Sequence, residues 1–272
     1  RQDLPPPDVL FDPVAHQAHL MAKDASLFAY GLRLGDDSLI LGQRLSEWCG
    51  HAPTIEVDLS LANIALDLIG QATHFLGLAG EAEGKDRDAD ALAFTRDALD
   101  FTNCLLAEQP NGDFAHTIAR QLLFSTFQHL QFEALTASKH ERIAAIAAKA
   151  VKETAYHATL ARDWTARLGD GTEESRARMI AGLEWMWRFV DELFDMDALE
   201  EKMLKKGVGV DLAALRAPWD ARIDAALEAG KLERPAPHRG VRGGRSGRHS
   251  EHLGHLLSDM QFLQRAYPGA TW

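Results

Sequence analysis

A long run of helix-forming residues, from Lys139 to Leu168, constrains the fold more than any other stretch of the chain. Its many alanines favour helix and leave small surfaces against which other helices can pack closely. Glu153 and His157 lie four residues apart near its middle, so both side chains project from one face, one turn apart. Metal sites inside helical bundles use carboxylate and imidazole ligands that project inward from the helices, and this pair could supply two of them. The function therefore depends on whether other helices complete that site.

The rest of the chain also has a helical period, and strand signals are almost absent. We predict long helices at 26–49, 55–78, 113–137 and 139–168, with Asp113 capping the third. Thr172 and Ser175 are predicted to cap a further helix that reaches Phe194. Shorter helices are predicted at 90–106, 198–206, 211–228 and 250–266. The fold class is therefore all-α, with a four-helix core made of two hairpins and additional short helices around it.

Three stretches interrupt this pattern. Residues 1–20, with several prolines, are expected to form an extended or disordered leader, and residues 21–272 a single helical domain. The segment Gly35–Ser38 is expected to cap or kink the first helix. Residues 80–90 are expected to form a surface loop, and the glycine-rich segment 233–247 a flexible, exposed one.

Composition narrows the functional classes. A formal charge of −11 over 272 residues and a pI near 5.5 argue against binding to nucleic acid or to anionic membranes. No run of 18 apolar residues and no signal pattern is found, so we expect a cytoplasmic protein. Cys49 and Cys104 lack CxxC spacing and are expected to be buried thiols. His51 and His74 are expected to be capping or core residues.

A di-iron carboxylate site takes one Glu from each of two helices and a Glu-x-x-His pair from each of the other two. The second long helix offers Asp67, but Gly70 stands where the histidine is expected. The third helix contains no acid between residues 114 and 132. In the fourth helix Glu153 precedes His157 by four residues, and Thr154 stands at the required position. The sequence therefore predicts that this chain holds no metal and that Asp67, Glu153 and His157 are remnants of a site.

These three residues are expected to join a buried polar network in which Lys149, Lys152 or Arg120 compensates the acids. Two alternatives stay open. The chain could itself be a metal-binding di-iron oxygenase subunit acting on an aryl-acyl-CoA, or it could be a stand-alone helical binding module. Metal content distinguishes the first alternative, and co-purification with a second helical chain distinguishes the second.

Several long motifs resemble one known family, the structural subunits of bacterial multicomponent phenylacetyl-CoA epoxidases (ring-1,2-phenylacetyl-CoA oxygenases). The resemblance runs from about Leu27 to Trp272. Its motifs are LRLGDDSLILGQRLSEWCGHAP (32–53), DLSLANIALDLIGQATHFL (58–76), AFTRD (93–97), EQPNGDFAHTIARQ (108–121), KAVKETAYH (149–157), WMWRFVDELFD (185–195) and EHLGHLLSDMQFLQRAYPG (251–269).

The resemblance implies a ferritin-like fold and a role in aerobic phenylacetate degradation. It also implies that this chain belongs to an NADPH-dependent monooxygenase complex and binds and supports a separate, catalytic ferritin-like subunit that holds the di-iron centre. A small accessory subunit and a reductase with flavin and an iron–sulfur cluster are further implied partners, and self-association is possible. No cofactor is expected in this chain.

The basic, glycine-rich segment His238–Arg248 has the composition of an anion-binding loop. A contact to the phosphates of coenzyme A or to an acidic partner is conceivable, but the segment lacks the fixed spacing of a P-loop. We expect a solvated loop. Trp185, Trp187 and Phe194 cannot all face one way on a helix, so we expect some of them in the core and some on the surface.

Overall fold

The computed structural model describes residues 24–270, and every regular element in this range is a helix. The expected leader, residues 1–20, lies outside the described residues. The helices are α1 (Ala25–Ser46), α2 (Ile55–Glu83), α3 (Ala89–Phe94), α4 (Leu105–Glu108), α5 (Phe114–Leu135), α6 (Glu141–Gly169), α7 (Glu173–Trp187), α8 (Ala198–Lys205), α9 (Arg216–Ala229), α10 (Glu251–Met260) and α11 (Phe262–Ala266), with 3₁₀ turns at Ala98–Asp100, Asp191–Phe194, Ala213–Leu215 and Gly244–Ser246.

Four long helices form the core as two hairpins. Helix α1 packs along α2, α5 packs along α6, and α2 meets α6 across the bundle. Helices α7 and α9 cover α5 and α6 from outside. This is the ferritin-like four-helix bundle, with short helices around it, that the sequence predicts.

Local capping explains where these helices begin. The Asp113 carboxylate accepts a hydrogen bond from the His116 backbone N–H and opens α5 as predicted. Thr172 and Ser175 exchange the two hydrogen bonds of a capping box at the start of α7, which is also as predicted.

The predicted cap or kink at Gly35–Ser38 is wrong, because α1 continues through this segment without a break. Gly35 is needed for close packing: a Cβ there would lie 2.7 Å from Leu76 Cδ2 on α2. Gly31 and Gly42, further along α1, also lie directly against α2. The close contact of α1 with α2 therefore depends on a row of glycines.

Three other helices differ from prediction in their bounds. Helix α2 continues to Glu83, so the expected loop from residue 80 begins late. The expected helix over 90–106 is instead broken into α3, a 3₁₀ turn, an extended segment and α4. The reason is tertiary: the Thr102 N–H and hydroxyl both donate to Asp36, which holds the segment extended. Helix α7 also ends at Trp187 and is followed by the 3₁₀ turn at Asp191–Phe194, short of the predicted end.

The aromatic residues of this region divide as predicted. Trp187 and Phe194 are buried and pack on Trp219 of α9, with ring centroids 5.8 and 5.4 Å away. Trp185 is exposed, and the Arg188 guanidinium lies 3.8 Å from its ring centroid. Over the described residues, no helix is long and apolar enough to cross a membrane.

Of the two cysteines and two histidines for which the sequence gave an expectation, only Cys104 lies where it was expected. Cys104 is buried as expected, and burial raises the pKa of its thiol. Cys49 is exposed, contrary to expectation, because α1 ends at Ser46 and leaves it in a surface turn. His51 and His74 are both exposed, so neither enters the core. Neither caps a helix, because Glu47 and Thr54 cap the helix ends around His51, and His74 lies inside α2, so the expectation is wrong.

A polar bundle centre as candidate functional site

The structure brings Asp67 and His157 together. His157 of α6 is almost fully buried, and its Nε2 lies 3.0 Å from Asp67 Oδ2 of α2. The Asp67 side chain remains about one-third exposed, at 36%. The pair thus runs from the interior to the surface between α2 and α6.

Glu153 and Gln71 form a second connection between the same helices. Gln71 donates from Nε2 to Glu153 Oε2 at 2.9 Å, and its own Oε1 lies 3.3 Å from Gln128 Nε2 on α5. Gln128 Nε2 is also 3.2 Å from Ser38 Oγ on α1. One chain of hydrogen bonds therefore joins all four core helices through the bundle centre.

Thr154 stands three residues before His157, where a ligand glutamate would be required. Its hydroxyl bonds to the Ala150 carbonyl of its own helix at 3.0 Å and lies 3.3 Å from His129 Nδ1. Thr154 is fully buried. A neutral hydroxyl, partnered within the protein, thus occupies the place of a carboxylate.

The donor set at the centre does not match a di-iron carboxylate site. Ser38, Gln71, Gln128 and Thr154 offer neutral oxygen and nitrogen atoms. The charged and imidazole groups beside them are the carboxylates of Asp67 and Glu153 and the rings of His129 and His157. Between residues 24 and 270, no group of three or more His, Cys, Asp or Glu side chains is placed to hold a metal ion. Iron in di-iron carboxylate sites is bound by several carboxylates together with imidazoles.

The predicted compensation of the acids by basic residues is wrong. Arg120 is buried elsewhere in the bundle, donating to the Gln109 carbonyl and to Asn111 Oδ1, and burial lowers its pKa to about 9. Lys149 and Lys152 are exposed. The partners of the acids are His157 and Gln71, and Asp67 and Glu153 are themselves only half-buried.

Sequence reasoning missed a set of buried ion pairs at the opposite side of α1. Asp36 is fully buried and forms a two-point contact with Arg96, and Asp37 forms another with Arg245, at 2.7 and 2.9 Å. The sequence does contain one sign of these ion pairs, namely two adjacent acids, Asp36 and Asp37, inside an apolar helix. Such acids are rarely buried without a partner.

Another buried carboxylate, that of Glu108, anchors the C-terminal region. Glu108, fully buried, accepts hydrogen bonds from the backbone and hydroxyl of Ser250 at 2.6 and 2.8 Å, and from Asn103 at 2.9 Å. His249 Nδ1 lies 2.7 Å from the same carboxylate. Burial lowers the pKa of His249, but hydrogen bonds to Glu108 and to the Phe101 carbonyl outweigh it, so the net pKa is raised.

These contacts also correct the expectation for the basic segment. Arg242 pairs with Asp195 at 2.7 Å, and the Gly243 N–H donates to the buried Glu192 carboxylate at 2.8 Å. Arg245 lies largely inside, at 14% exposure. The end of the segment is therefore packed on the bundle and is not fully exposed, and two of its arginines are used within the chain.

The fold and this site together define a class of protein: a ferritin-like bundle whose polar centre is lined by amides and hydroxyls more than by carboxylates. Comparison with known proteins narrows the class to one family. Residues 14–272 match the family described as "Phenylacetic acid catabolic protein". The chain therefore belongs to the phenylacetic acid catabolic protein family. The match includes residues 14–20, which the sequence pattern assigned to the leader.

A curated relative gives a more specific likeness. The chain is 49% identical over 246 residues to one of the subunits of the 1,2-phenylacetyl-CoA epoxidase of Escherichia coli (strain K12). The alignment covers 90% of this chain and 99% of that relative. The similarity thus extends over the whole bundle and is not confined to one motif.

Proposed function

We propose that this chain is the non-catalytic subunit of a 1,2-phenylacetyl-CoA epoxidase and that it binds and supports a separate ferritin-like subunit that holds the di-iron centre. The likeness to a protein named as an epoxidase subunit supports membership of such a complex. The single observation that carries the non-catalytic role is the hydrogen-bonded chain from Ser38 through Gln128 to Gln71. It fills the bundle centre with neutral groups.

Charge explains why these groups argue against iron binding. Two ferrous or ferric ions bring a large positive charge into a low-dielectric interior, and bridging carboxylates normally neutralise it. Amides and hydroxyls supply no such charge. Asp67 is already partnered by His157, and Glu153 by Gln71, so neither acid stands free to bridge two metals.

The same residues suit a structural role. A buried chain of hydrogen bonds between helices fixes their relative register, because each alternative register leaves more polar groups unpaired. Here the chain crosses all four core helices. A rigid bundle presents a constant surface to its partner, as a supporting subunit requires.

The complex we propose has further members. Electrons would reach the di-iron subunit from a reductase that carries flavin and an iron–sulfur cluster and uses NADPH, and a small accessory subunit would join the core. All of these cofactors belong to other chains in this proposal. The site of action would be the cytoplasm.

Co-expression tests the proposal. We expect the affinity-tagged chain to co-purify with a co-expressed ferritin-like subunit of the same complex, and epoxidation of phenylacetyl-CoA, measured with the reductase present, to require both chains. Each chain assayed alone with the reductase is the control. Full turnover by this chain alone, or purification of the two chains as separate species, would contradict the proposal.

A further inference from the structure

Helix α2 carries a row of large apolar side chains that faces away from the bundle. Ile55, Leu59 and Leu66 are 74%, 61% and 66% exposed. At about 100° per residue, these three positions fall within about 40° of one another around the helix, and they span about 16 Å along it. We call this row, continued by Ala62, Gly70 and Thr73, the α2 outer face. Large apolar side chains grouped in this way mark an interaction surface.

Gly70, on the same face, is not required by the fold of this chain. A Cβ at Gly70 would meet no atom within 4 Å, whereas a Cβ at Gly31, Gly35 or Gly42 of α1 would press on α2. Glycine in the interior of a helix is less favourable than alanine. A glycine that no internal contact needs, beside exposed leucines, is explained by the close approach of a backbone from outside the chain.

The charges around the α2 outer face indicate what kind of chain approaches it. Helix α2 contains no lysine or arginine, and the acids of its first turn, Glu56 and Asp58, flank the α2 outer face at its Ile55 end. The acids at the other end are balanced within the chain, because Glu81 pairs with Arg142 and the buried Glu83 pairs with Arg87. Negative charge beside an apolar face favours a partner that carries basic residues around its own apolar patch.

We propose that the α2 outer face is the docking surface for the ferritin-like di-iron subunit of the complex, which packs an apolar helix flanked by lysine or arginine across Leu59, Leu66 and Gly70. This inference rests on the proposed function, because the occupant is a member of the proposed epoxidase. Leu66 and Gly70 also border a shallow cleft together with Asp67 and Glu153. A partner docked on this face would cover the exposed ends of the Asp67–His157 and Glu153–Gln71 pairs.

Binding of the purified ferritin-like partner subunit, measured by titration calorimetry, tests this surface. The double variant Leu59→Lys with Leu66→Lys should raise Kd about 100-fold or more, since apolar side chains at the centre of an interface dominate affinity. The control is Leu99→Lys, a leucine that is 79% exposed on the 3₁₀ turn at Ala98–Asp100 and should leave Kd unchanged.

Gly70→Ala separates docking from folding. Alanine favours helix and its Cβ has open space, so Tm of the isolated chain should rise, whereas Kd for the partner should increase about tenfold.

The titrations with wild type and with the double variant decide the proposal. If wild type binds and the double variant binds equally well, the α2 outer face is not the docking surface, while the proposed function stands. If wild type does not bind, both fail. Self-association of wild type that the double variant abolishes would identify a second copy as the occupant and overturn the inference.

Discussion

Replacing Arg96 by alanine is expected to lower the free energy of unfolding by about 3–5 kcal/mol. Arg96 makes a two-point contact with Asp36, and both side chains are almost completely buried, at 3% and 0% exposure. Without the guanidinium, the Asp36 carboxylate keeps only its two hydrogen bonds from Thr102 inside a low-dielectric interior. The loss in free energy of unfolding is measured by urea denaturation monitored by circular dichroism.

Two further variants make this measurement specific. Arg96→Lys retains the charge but not the two-point geometry, so its loss should fall between those of wild type and Arg96→Ala. Arg178→Ala removes surface ion pairs with Glu174 on α7 and, at 3.9 Å, with Asp113, and should change stability by less than about 1 kcal/mol. Equal effects of Arg96→Ala and Arg178→Ala would show that the Asp36–Arg96 pair is not buried as described.

Replacing Glu108 by alanine is expected to cost about 3–5 kcal/mol and to release the chain around His249 and Ser250. The carboxylate is the acceptor for Asn103, for the Ser250 backbone and hydroxyl, and for His249. Removal leaves several buried donors unpaired at once. Hydrogen exchange of α10 should accelerate, because the segment leading into it loses its anchor. Unchanged exchange there would contradict this role of Glu108.

The pairing of His249 with Glu108 also predicts a pH dependence. The folded pKa of His249 lies above its ordinary value of 6.5. The stabilisation is therefore fully present below pH 6.5 and is lost as the pH rises through the raised pKa. The Glu108→Gln variant removes the charge, so the stability difference between wild type and variant should shrink with rising pH over this window. A difference that grows with pH would contradict the assignment.

The long helices were predictable because their signals are local. Asp113 and Thr172 cap α5 and α7 through neighbours three residues away, and alanine content carries α6. Part of the site was predictable too. Asp67, Glu153 and His157, the three residues singled out from the sequence, all take part in the polar contacts between α2 and α6.

The rest depends on partners that are distant in the sequence. Asp37 and Arg245 are 208 positions apart, and nothing near either residue indicates the other. The extended segment before α4 exists because Asp36 binds Thr102, which overrides the local helical pattern. For the same reason, the partners of Asp67 and Glu153 could not be chosen from sequence among several nearby polar residues.

The central claim is that the chemistry resides in a neighbouring subunit, and iron analysis tests it most directly. The chain is purified alone, incubated anaerobically with ferrous iron and desalted, and its iron content is measured by inductively coupled plasma mass spectrometry. The complex with its ferritin-like partner is treated in the same way for comparison. We predict no stoichiometric iron in the chain alone and iron in the complex that separates with the partner. About two iron ions per chain of this protein alone, the content of a di-iron carboxylate site, would contradict the account.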